Sequence, residues 1–261
     1  MIMRRRRSCL TVPADDERKL EKAAGIEVDE VILDLEDAVA PERKDGARET
    51  LARALRDHEW RAATVAVRVN RGSTEDLALV AELRPDVVVL PKVESADELH
   101  GLPVPAEAQI ETARGLLECA GIAAAPGLEA LVLGPGDLAA SLGVPELTIG
   151  SGAHVQHALF QVAVAARAFG VAAIDGPYPV LGDEEGLRAS ALRSRAFGYD
   201  GKWCIHPAQI AVCDEVYTPT AEEIERARRI LGVAGVARLD GEMVDEANRR
   251  MAEAILARLP S

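Results

Sequence analysis

The chain of 261 residues is 48% hydrophobic but only 3% aromatic, so alanine, valine and leucine must fill its core. Its formal net charge of −13 argues against a nucleic-acid or membrane-surface partner. No apolar run reaches the length of a membrane span, and the stretch after the basic run Arg4 to Arg7 is too short for a signal peptide. We expect a cytoplasmic protein in which most of this basic run is a solvated arm.

Eight short apolar runs punctuate the chain, and alanine-, glutamate- and arginine-rich stretches with helical spacing, such as 41–57 and 154–170, lie between them. The runs are CLTVP, VILDLED, TVAVRVN, DVVVLPK, EAQIET, ALVLGPGDL, VAAIDGPY and GKWCIHP. Continuous runs of valine, isoleucine and leucine are typical of strands buried on both faces of a parallel sheet. Eight βα units predict the α/β class and one (β/α)8 barrel, which we place at 1–213.

The remaining residues, 214–261, predict a helical extension. Thr220 and Glu223 form a capping-box pattern that opens a helix over 221–231, and 242–259 has the apolar spacing of a final helix. A closed barrel does not need these helices. They could form a lid, an arm that reaches a neighbouring subunit, or extra packing on the outside of the barrel.

Polar residues follow most of the predicted strands, so they should converge on the rim where such barrels place their active sites. Glu111 and Asp137 follow neighbouring strands five and six, and Gly134 and Gly136, on either side of Pro135, allow a ligand to approach the backbone. Two adjacent carboxylates require a shared proton or a cation, because both cannot stay charged cheaply. All-oxygen ligands favour Mg²⁺ or Mn²⁺ over zinc. A metal site, a metal-free acid pair and incidental salt bridges all remain open.

Arg68 ends an otherwise apolar strand, and a buried guanidinium must either pair with acids or bind an anionic ligand. Lys92, after Pro91, invites the same two interpretations. Glu36 and Asp37 end strand two, where they could hold metal-bound water or form rim salt bridges.

Other polar residues at the rim favour structural roles. His206 precedes a proline that ends the last strand, and Asp175 precedes Gly176 in a turn pattern. The four cysteines, at positions 9, 119, 204 and 213, lack CxxC spacing, which favours reduced and mostly buried thiols.

These segments, in this order, resemble the citrate lyase beta-subunit-like branch of the HpcH/HpaI aldolase family. The matching segments are LTVP (10–13), DEVILDLEDAVAPERKDGAR (29–48), VAVRVN (65–70), VVLPKVESADEL (88–99), QIETARGLLECAGIA (109–123), LGPGDLAASLG (133–143), AARAFGVAAIDGPY (165–178), GYDGKWCIHPAQI (198–210) and DGEMVD (240–245). They cover nearly the whole chain, and their combination is specific.

The resemblance implies a Mg²⁺-dependent barrel enzyme that assembles as a trimer or hexamer. It would cleave or form the bond between an acyl-thioester enolate and a 2-oxo acid, as with citryl-, malyl- or citramalyl-CoA. By motif, Glu111 and Asp137 would be metal ligands. Arg68, Lys92 and residues 134–136 would contact substrate, Glu36 and Asp37 would support metal-bound waters, and Asp245 would be an acid or base delivered by a neighbouring subunit.

One departure from the family pattern bears on the thioester carrier. The loop after strand one reads Pro13-Ala14-Asp15-Asp16-Glu17, which places acids where CoA phosphates would approach. An acyl-carrier protein is therefore an alternative to CoA. Two other functions remain open: malate-synthase-like or thioesterase activity at the same site, and a citrate lyase beta-type subunit or acid-binding relative that is inactive without partners.

Overall fold

A computed structural model describes residues 4–145, 152–233 and 235–259 of the chain. The chain divides into two compact units, residues 1–214 and 215–261. Among the described residues, no helix combines the length and the apolar character needed to cross a membrane.

The first unit is a closed barrel of eight parallel strands in sequential order, which confirms the predicted (β/α)8 fold. The strands are β1 (Ser8–Pro13), β2 (Glu30–Asp34), β3 (Val65–Arg68), β4 (Val87–Leu90), β5 (Ala106–Ile110), β6 (Leu128–Leu133), β7 (Ala172–Asp175) and β8 (Gly201–Cys204). Each coincides with one of the eight apolar runs. β1 pairs with both β2 and β8, which closes the barrel.

Between β4 and β5 the chain forms only a 3-10 turn, whereas helices follow the other seven barrel strands. These helices are α1 (Glu17–Ala24), α2 (Lys44–Asp57), α3 (Thr74–Leu83), α4 (Ala113–Leu117), α5 (Cys119–Ala123), α6 (Pro135–Ser141), α7 (Ala153–Phe169), α8 (Glu184–Ala196) and α9 (Ile210–Tyr217). Short 3-10 turns at Pro41–Arg43, Ala96–Leu99 and Pro207–Gln209 complete the connections.

Alternate residues of the strands form one buried cluster. Its members are Cys9, Ile32, Ala66, Val87, Val89, Ala130, Val132, Ala172, Ile174 and Trp203. Because side chains alternate along a strand, Asp34, two positions after Ile32, and Arg68, two positions after Ala66, share this direction. The alternation therefore places these polar side chains above an apolar floor. All four cysteines are free and buried, as expected.

The basic run at the N-terminus differs from the solvated arm that we expected. The guanidinium of Arg6 is buried against Glu30, Glu107 and Glu129, each of which forms an ion pair with it. Arg7 forms an ion pair with Asp29 at 2.8 Å. The acids that receive the run lie far from it in sequence, so local composition gave no sign of this burial.

The second unit contains α10 (Ala221–Leu231), a hairpin of β9 (Ala237–Leu239) and β10 (Glu242–Val244), and α11 (Glu246–Leu256). Thr220 and Glu223 form the capping box that the sequence predicted. The final helix begins later than predicted because Asp240 and Gly241 both have positive φ. An Asp-Gly pair in this conformation makes a tight hairpin turn, which diverts the chain from the helix. Ala227, Ile230, Val244 and Ala252 form the buried core of the unit.

Candidate active site

A cavity of about 300 Å³ opens at the carboxyl ends of the barrel strands. Its polar lining consists of Thr11, Asp34, Asp37, Arg68, Gln109, Glu111 and Asp137. The backbone of Gly134, Pro135 and Gly136 lies along one side, and Leu133, Pro177, Pro179, Trp203 and Ile205 add apolar surface. The structure therefore brings most of the predicted rim residues into one pocket.

Glu111 and Asp137 reach this pocket from neighbouring strands. Glu111 directly follows β5, while Asp137 lies in the first turn of α6, just after β6. Gly134 makes their approach possible, because a Cβ atom at this position would lie 2.4 Å from Glu111 Oε2. Any larger residue would push the α6 loop away from the Glu111 carboxylate.

The Glu111 carboxylate is strongly perturbed. Burial raises its pKa to about 7, and the nearby charge of Asp137 adds to this effect. Its oxygens accept hydrogen bonds from the backbone N–H of Lys92 at 2.7 Å and from Gln109 Nε2 at 3.4 Å. A carboxyl group of this pKa readily exchanges its proton for a cation near neutral pH.

The guanidinium of Arg68 is held by acids of β2 and the loop that follows it. Its Nε and Nη2 donate to Asp34 at 2.7 and 2.5 Å, and its Nη1 lies 2.8 Å from Glu36. It also lies 5.3 Å above the ring of Trp203. Of the two interpretations left open, structural pairing is what the structure contains, yet Arg68 still lines the pocket.

Lys92 lies beside the pocket and contacts two of its lining acids, Asp37 and Asp137. The residue adopts a positive φ of 51°, and its ammonium group contacts Glu36, Asp37 at 3.5 Å and Asp137 at 3.8 Å. Burial raises the pKa of Glu36, against the lowering effect of Arg68. Three carboxylates thus surround one ammonium group, so negative charge exceeds positive charge in this region.

Two residues that sequence analysis did not assign to the site are central to it. Asp34 is fully buried and accepts from the backbone N–H groups of Glu36 and Ala38, which fixes its carboxylate toward Arg68. Gln109 connects Arg68 Nη1, at 3.4 Å, to Glu111. Period-two alternation from the apolar interior position Ile32 would have pointed to Asp34. Gln109 had no such signal, because the residue two positions before it on its strand is the charged Glu107.

The remaining predicted residues lie outside the pocket lining. Asp175 pairs with Lys202 at 2.5 Å, and His206 Nδ1 accepts from the backbone N–H of Ala208 at 3.1 Å. His206 thus has the structural role that we expected, while Asp175 forms an ion pair that sequence analysis did not anticipate. Asp245 belongs to the second unit, where it caps α11 by accepting from Ala247 N and Asn248 N at 2.9 and 3.3 Å.

A second groove of about 280 Å³ adjoins the pocket. The two share Thr11 and Ile205, and the groove adds Lys19, Lys22 and His206 to an apolar surface. The acids of the loop after β1 are engaged locally. Asp15 lies 2.7 Å from Arg43, and Asp16 caps α1 and pairs with Lys19.

The family model for HpcH/HpaI aldolase/citrate lyase matches residues 7–104 and 102–207. The chain belongs to the HpcH/HpaI aldolase/citrate lyase family. The family resemblance seen in the sequence is confirmed, and the chain is an enzyme of a carbon–carbon lyase family.

Two relatives of this chain have names that are consistent with the family assignment. The "(3S)-malyl-CoA thioesterase" of Cereibacter sphaeroides is 39% identical, over 97% of this chain and 94% of that protein. The "L-malyl-CoA/beta-methylmalyl-CoA lyase" of the same species is 34% identical, over 90% of this chain and 89% of that protein.

A solved relative has the same fold. The CitE protein of Mycobacterium tuberculosis, in complex with magnesium, acetoacetate and coenzyme A, superposes with a TM-score of 0.84. It is 35% identical, and the match covers 96% of this chain and 97% of that protein.

Proposed function

We propose that the protein is a Mg²⁺-dependent carbon–carbon lyase that cleaves or forms a short 3-hydroxyacyl-CoA thioester, with an acyl-CoA and a 2-oxo acid as the other reactants. The observation that carries the proposal is the placement of Glu111 and Asp137 in one pocket with Arg68. Magnesium-bound CitE and the malyl-CoA lyase and thioesterase relatives support it.

The donor set fits a hard divalent cation. Glu111 and Asp137 offer only carboxylate oxygens, and burial together with the nearby charge of Asp137 raises the pKa of Glu111, so a bound cation would favour its ionised form. Within the described residues, no group of three or more His, Cys, Asp or Glu side chains could hold a metal ion. Two carboxylates suit Mg²⁺, which keeps its other positions for water and substrate oxygens. The bound ion would supply a Lewis acid that polarises the 2-oxo acid carbonyl.

The residues of the chain itself would orient the reactants. Arg68 places one positive group beside the pocket, where it would stabilise negative charge as it moves between the alkoxide and the enolate oxygen. Asp34 and Gln109 hold Arg68 in place through the hydrogen bonds described above. Glu36, Asp37 and Lys92 form the adjoining charge cluster, which would orient metal-bound water.

The adjoining groove supports CoA as the carrier. A thioester in the pocket would pass Thr11 and Ile205 into the groove, where Lys22 offers positive charge to phosphate groups. The acidic loop obstructs this path less than its sequence suggested, because Asp15 and Asp16 already have partners. The structural observations therefore favour CoA over an acyl-carrier protein.

Asp245 is proposed as the acid or base that exchanges a proton with the enolate carbon. The family resemblance implies that a neighbouring subunit of a homotrimer or homohexamer would supply this carboxylate.

A second candidate reaction is hydrolysis of the thioester, alone or after condensation. The thioesterase relative, 39% identical over most of both chains, is the observation that favours it. The two reactions differ in their products: cleavage releases a 2-oxo acid and leaves the thioester intact, whereas hydrolysis releases free thiol.

The test is an assay of the purified chain with Mg²⁺ and a panel of malyl-, citramalyl- and citryl-CoA. Release of a 2-oxo acid supports the lyase, and thiol release that depends on the same residues supports the hydrolase. Absence of both products across the panel, with Glu111→Ala indistinguishable from wild type, would reject the proposal and favour a subunit that needs partners.

A further inference from the structure

Two hydrogen-bond donors of the pocket lining have no partner among the residues that the structure describes. They are the hydroxyl oxygen of Thr11 and the indole nitrogen of Trp203, both of which are buried. A buried donor without a partner is unfavourable, so such groups in native proteins usually meet an acceptor from water or a ligand. The lining therefore offers two uncharged donors to a bound substrate.

Thr11 lies where the pocket meets the adjoining groove. It lines both cavities, whereas Trp203 lines the pocket alone. Thr11 is two positions after Cys9, which belongs to the buried cluster inside the barrel, so its side chain points in the same direction. A molecule that extends from the pocket into the groove must pass this residue.

The hydroxyl group of Thr11 is free to reorient. The residue as a whole is only partly buried, although its oxygen is not exposed. Rotation about the Cα–Cβ bond moves the oxygen between staggered positions, and no hydrogen bond has to break, because the oxygen has none. Thr11 can therefore direct its donor toward a ligand at little cost.

Thr11 lies across the barrel from the proposed metal ligands. β1 and β5 are four strands apart in the closed ring of eight, so Thr11 on β1 faces Glu111 after β5. Under the proposed function, the oxygens of the 2-oxo acid lie near Glu111 and Asp137, and the CoA carrier occupies the groove. The part of the substrate between these two ends is the thioester group, which would lie beside Thr11.

Arg68 supplies positive charge but has little hydrogen-bonding capacity left for this group. Its Nε and Nη2 atoms donate to Asp34, and its Nη1 atom contacts Glu36 and Gln109. An oxygen that gains negative charge in a reaction is stabilised most by a donor directed at it. The unpartnered hydroxyl of Thr11 meets this requirement.

We propose that Thr11 is a catalytic residue whose hydroxyl donates a hydrogen bond to the thioester oxygen of the substrate. This inference rests on the proposed function and adds a residue to it. In cleavage, a general base removes the proton of the substrate hydroxyl, and the carbon–carbon bond breaks as the carbonyl of the 2-oxo acid forms. The electron pair of that bond moves into the thioester, whose oxygen becomes the negative enolate oxygen. Thr11 keeps its proton and stabilises this oxygen, and a proton then returns to the enolate carbon.

Two substitutions separate the hydroxyl from the shape of the side chain. Valine has nearly the shape of threonine without the donor, and serine keeps the donor. With Mg²⁺ and malyl-, citramalyl- or citryl-CoA, Thr11→Val should lower kcat by about 10²-fold and change KM by less than about threefold, because the contact strengthens as the enolate forms. Thr11→Ser should keep kcat within about threefold of wild type. A wild-type kcat in Thr11→Val, or an equal loss in Thr11→Ser, would overturn the proposal.

Urea unfolding distinguishes this role from a structural one. Because the Thr11 oxygen has no partner in the fold, Thr11→Val should unfold at the same urea concentration as wild type or at a higher one. A lower midpoint would show that the hydroxyl has a stabilising partner within the chain, and would overturn the proposal.

Infrared spectroscopy detects the contact without turnover. Acetyl-CoA labelled with ¹³C at its thioester carbonyl would be bound to the Mg²⁺-saturated full chain. A donated hydrogen bond weakens the carbonyl bond, so its band should lie at lower frequency in wild type and Thr11→Ser than in Thr11→Val. The same frequency in all three proteins would overturn the role of Thr11 and leave the lyase proposal standing. A wild-type protein that neither binds acetyl-CoA nor converts any of the three thioesters would overturn both.

Discussion

The carboxylate of Asp34 and the guanidinium of Arg68 meet through two parallel hydrogen bonds, Nε to Oδ1 at 2.7 Å and Nη2 to Oδ2 at 2.5 Å. The residues are register partners on neighbouring strands, so the barrel itself aligns them. Asp34 is fully buried and Arg68 is 7% exposed. The pair stabilises the barrel and also fixes the position of the Arg68 guanidinium at the candidate active site.

The Asp34–Arg68 pair predicts a large stability cost for Asp34→Ala. Removing one partner of a buried ion pair leaves the other charge uncompensated, which typically costs about 3–5 kcal/mol. Urea unfolding monitored by circular dichroism would measure the change. Asp37→Ala is the matched control, because its half-exposed carboxylate should contribute about 0–1 kcal/mol. Similar losses in both variants would contradict the assigned difference.

The pKa of Glu111, about 7, predicts pH-dependent Mg²⁺ affinity. The metal requires the ionised carboxylate, so the affinity should fall by up to about tenfold per pH unit below pH 7 and level off above it. Titration calorimetry, or Mn²⁺ paramagnetic resonance, would measure this. Glu111→Gln should bind at least about tenfold more weakly and lose the pH dependence, while the surface variant Glu118→Gln should match wild type. An unchanged pH profile in Glu111→Gln would refute Glu111 as a ligand.

The buried acids around Arg6 predict a second pH effect, on stability. Glu30 and Glu107 are fully buried and contact the Arg6 guanidinium, which also contacts Glu129. Burial raises the pKa of Glu30 well above its ordinary value. A carboxyl group with a raised folded-state pKa stabilises the fold when protonated. Its contribution is therefore present below about pH 4.5, the ordinary pKa of glutamate, and is lost as pH rises toward the folded-state pKa.

Glu30→Gln tests this effect. The amide of Gln does not titrate, so the variant lacks the loss of stability that Glu30 causes as pH rises. The difference in unfolding free energy between the variant and wild type should therefore shift in favour of the variant as pH rises. The slope should be at most about 1.4 kcal/mol per pH unit. Denaturant unfolding between pH 5 and 9 would measure it. A difference that does not vary with pH would show that Glu30 stays ionised in the folded protein.

Asp245 caps α11 and is also the proposed acid or base. A substitution that keeps the helix cap but removes the carboxylate should therefore lower activity without lowering stability. Asn is as good a helix cap as Asp, so Asp245→Asn should unfold within about 0.5 kcal/mol of wild type. Its activity should nevertheless fall by about 10²-fold or more, because the amide cannot exchange the proton. Mixing Asp245→Asn with Arg68→Ala subunits should restore part of the activity if the carboxylate acts across a subunit boundary. Wild-type activity in Asp245→Asn would exclude a catalytic role.

Lys22 of the groove predicts a defect in CoA binding alone. Lys22→Gln should raise KM for the CoA thioester by about threefold to tenfold and leave kcat unchanged, since phosphate contacts are equal in the ground and transition states. The effect should shrink at high salt. Arg18→Gln removes the same charge from the same helix outside the groove lining and is the control. Equal effects of both substitutions would indicate a general field rather than a phosphate site.

Much of this architecture could be predicted from the sequence. The eight apolar runs predicted the eight strands because strands buried on both faces must be continuously apolar. The family motifs, together with the rule that loops after barrel strands build the site, brought Glu111, Asp137 and Arg68 to one rim. The capping box of Thr220 and Glu223 could also be predicted, since it depends on residues only three positions apart.

Contacts between residues far apart in the chain depended on the tertiary structure. Whether Arg68 binds a ligand or pairs with acids could not be decided until β2 was placed beside β3, which gave it Asp34 as a partner. The sequence predicts a solvated arm at Arg6, because the glutamates that bury its guanidinium lie more than 20 residues away. The acids at Asp15 and Asp16 suggested repulsion of phosphate until their partners were known. Sequence determines which side chains are polar and where strands end, but the charge that a group meets depends on three-dimensional neighbours.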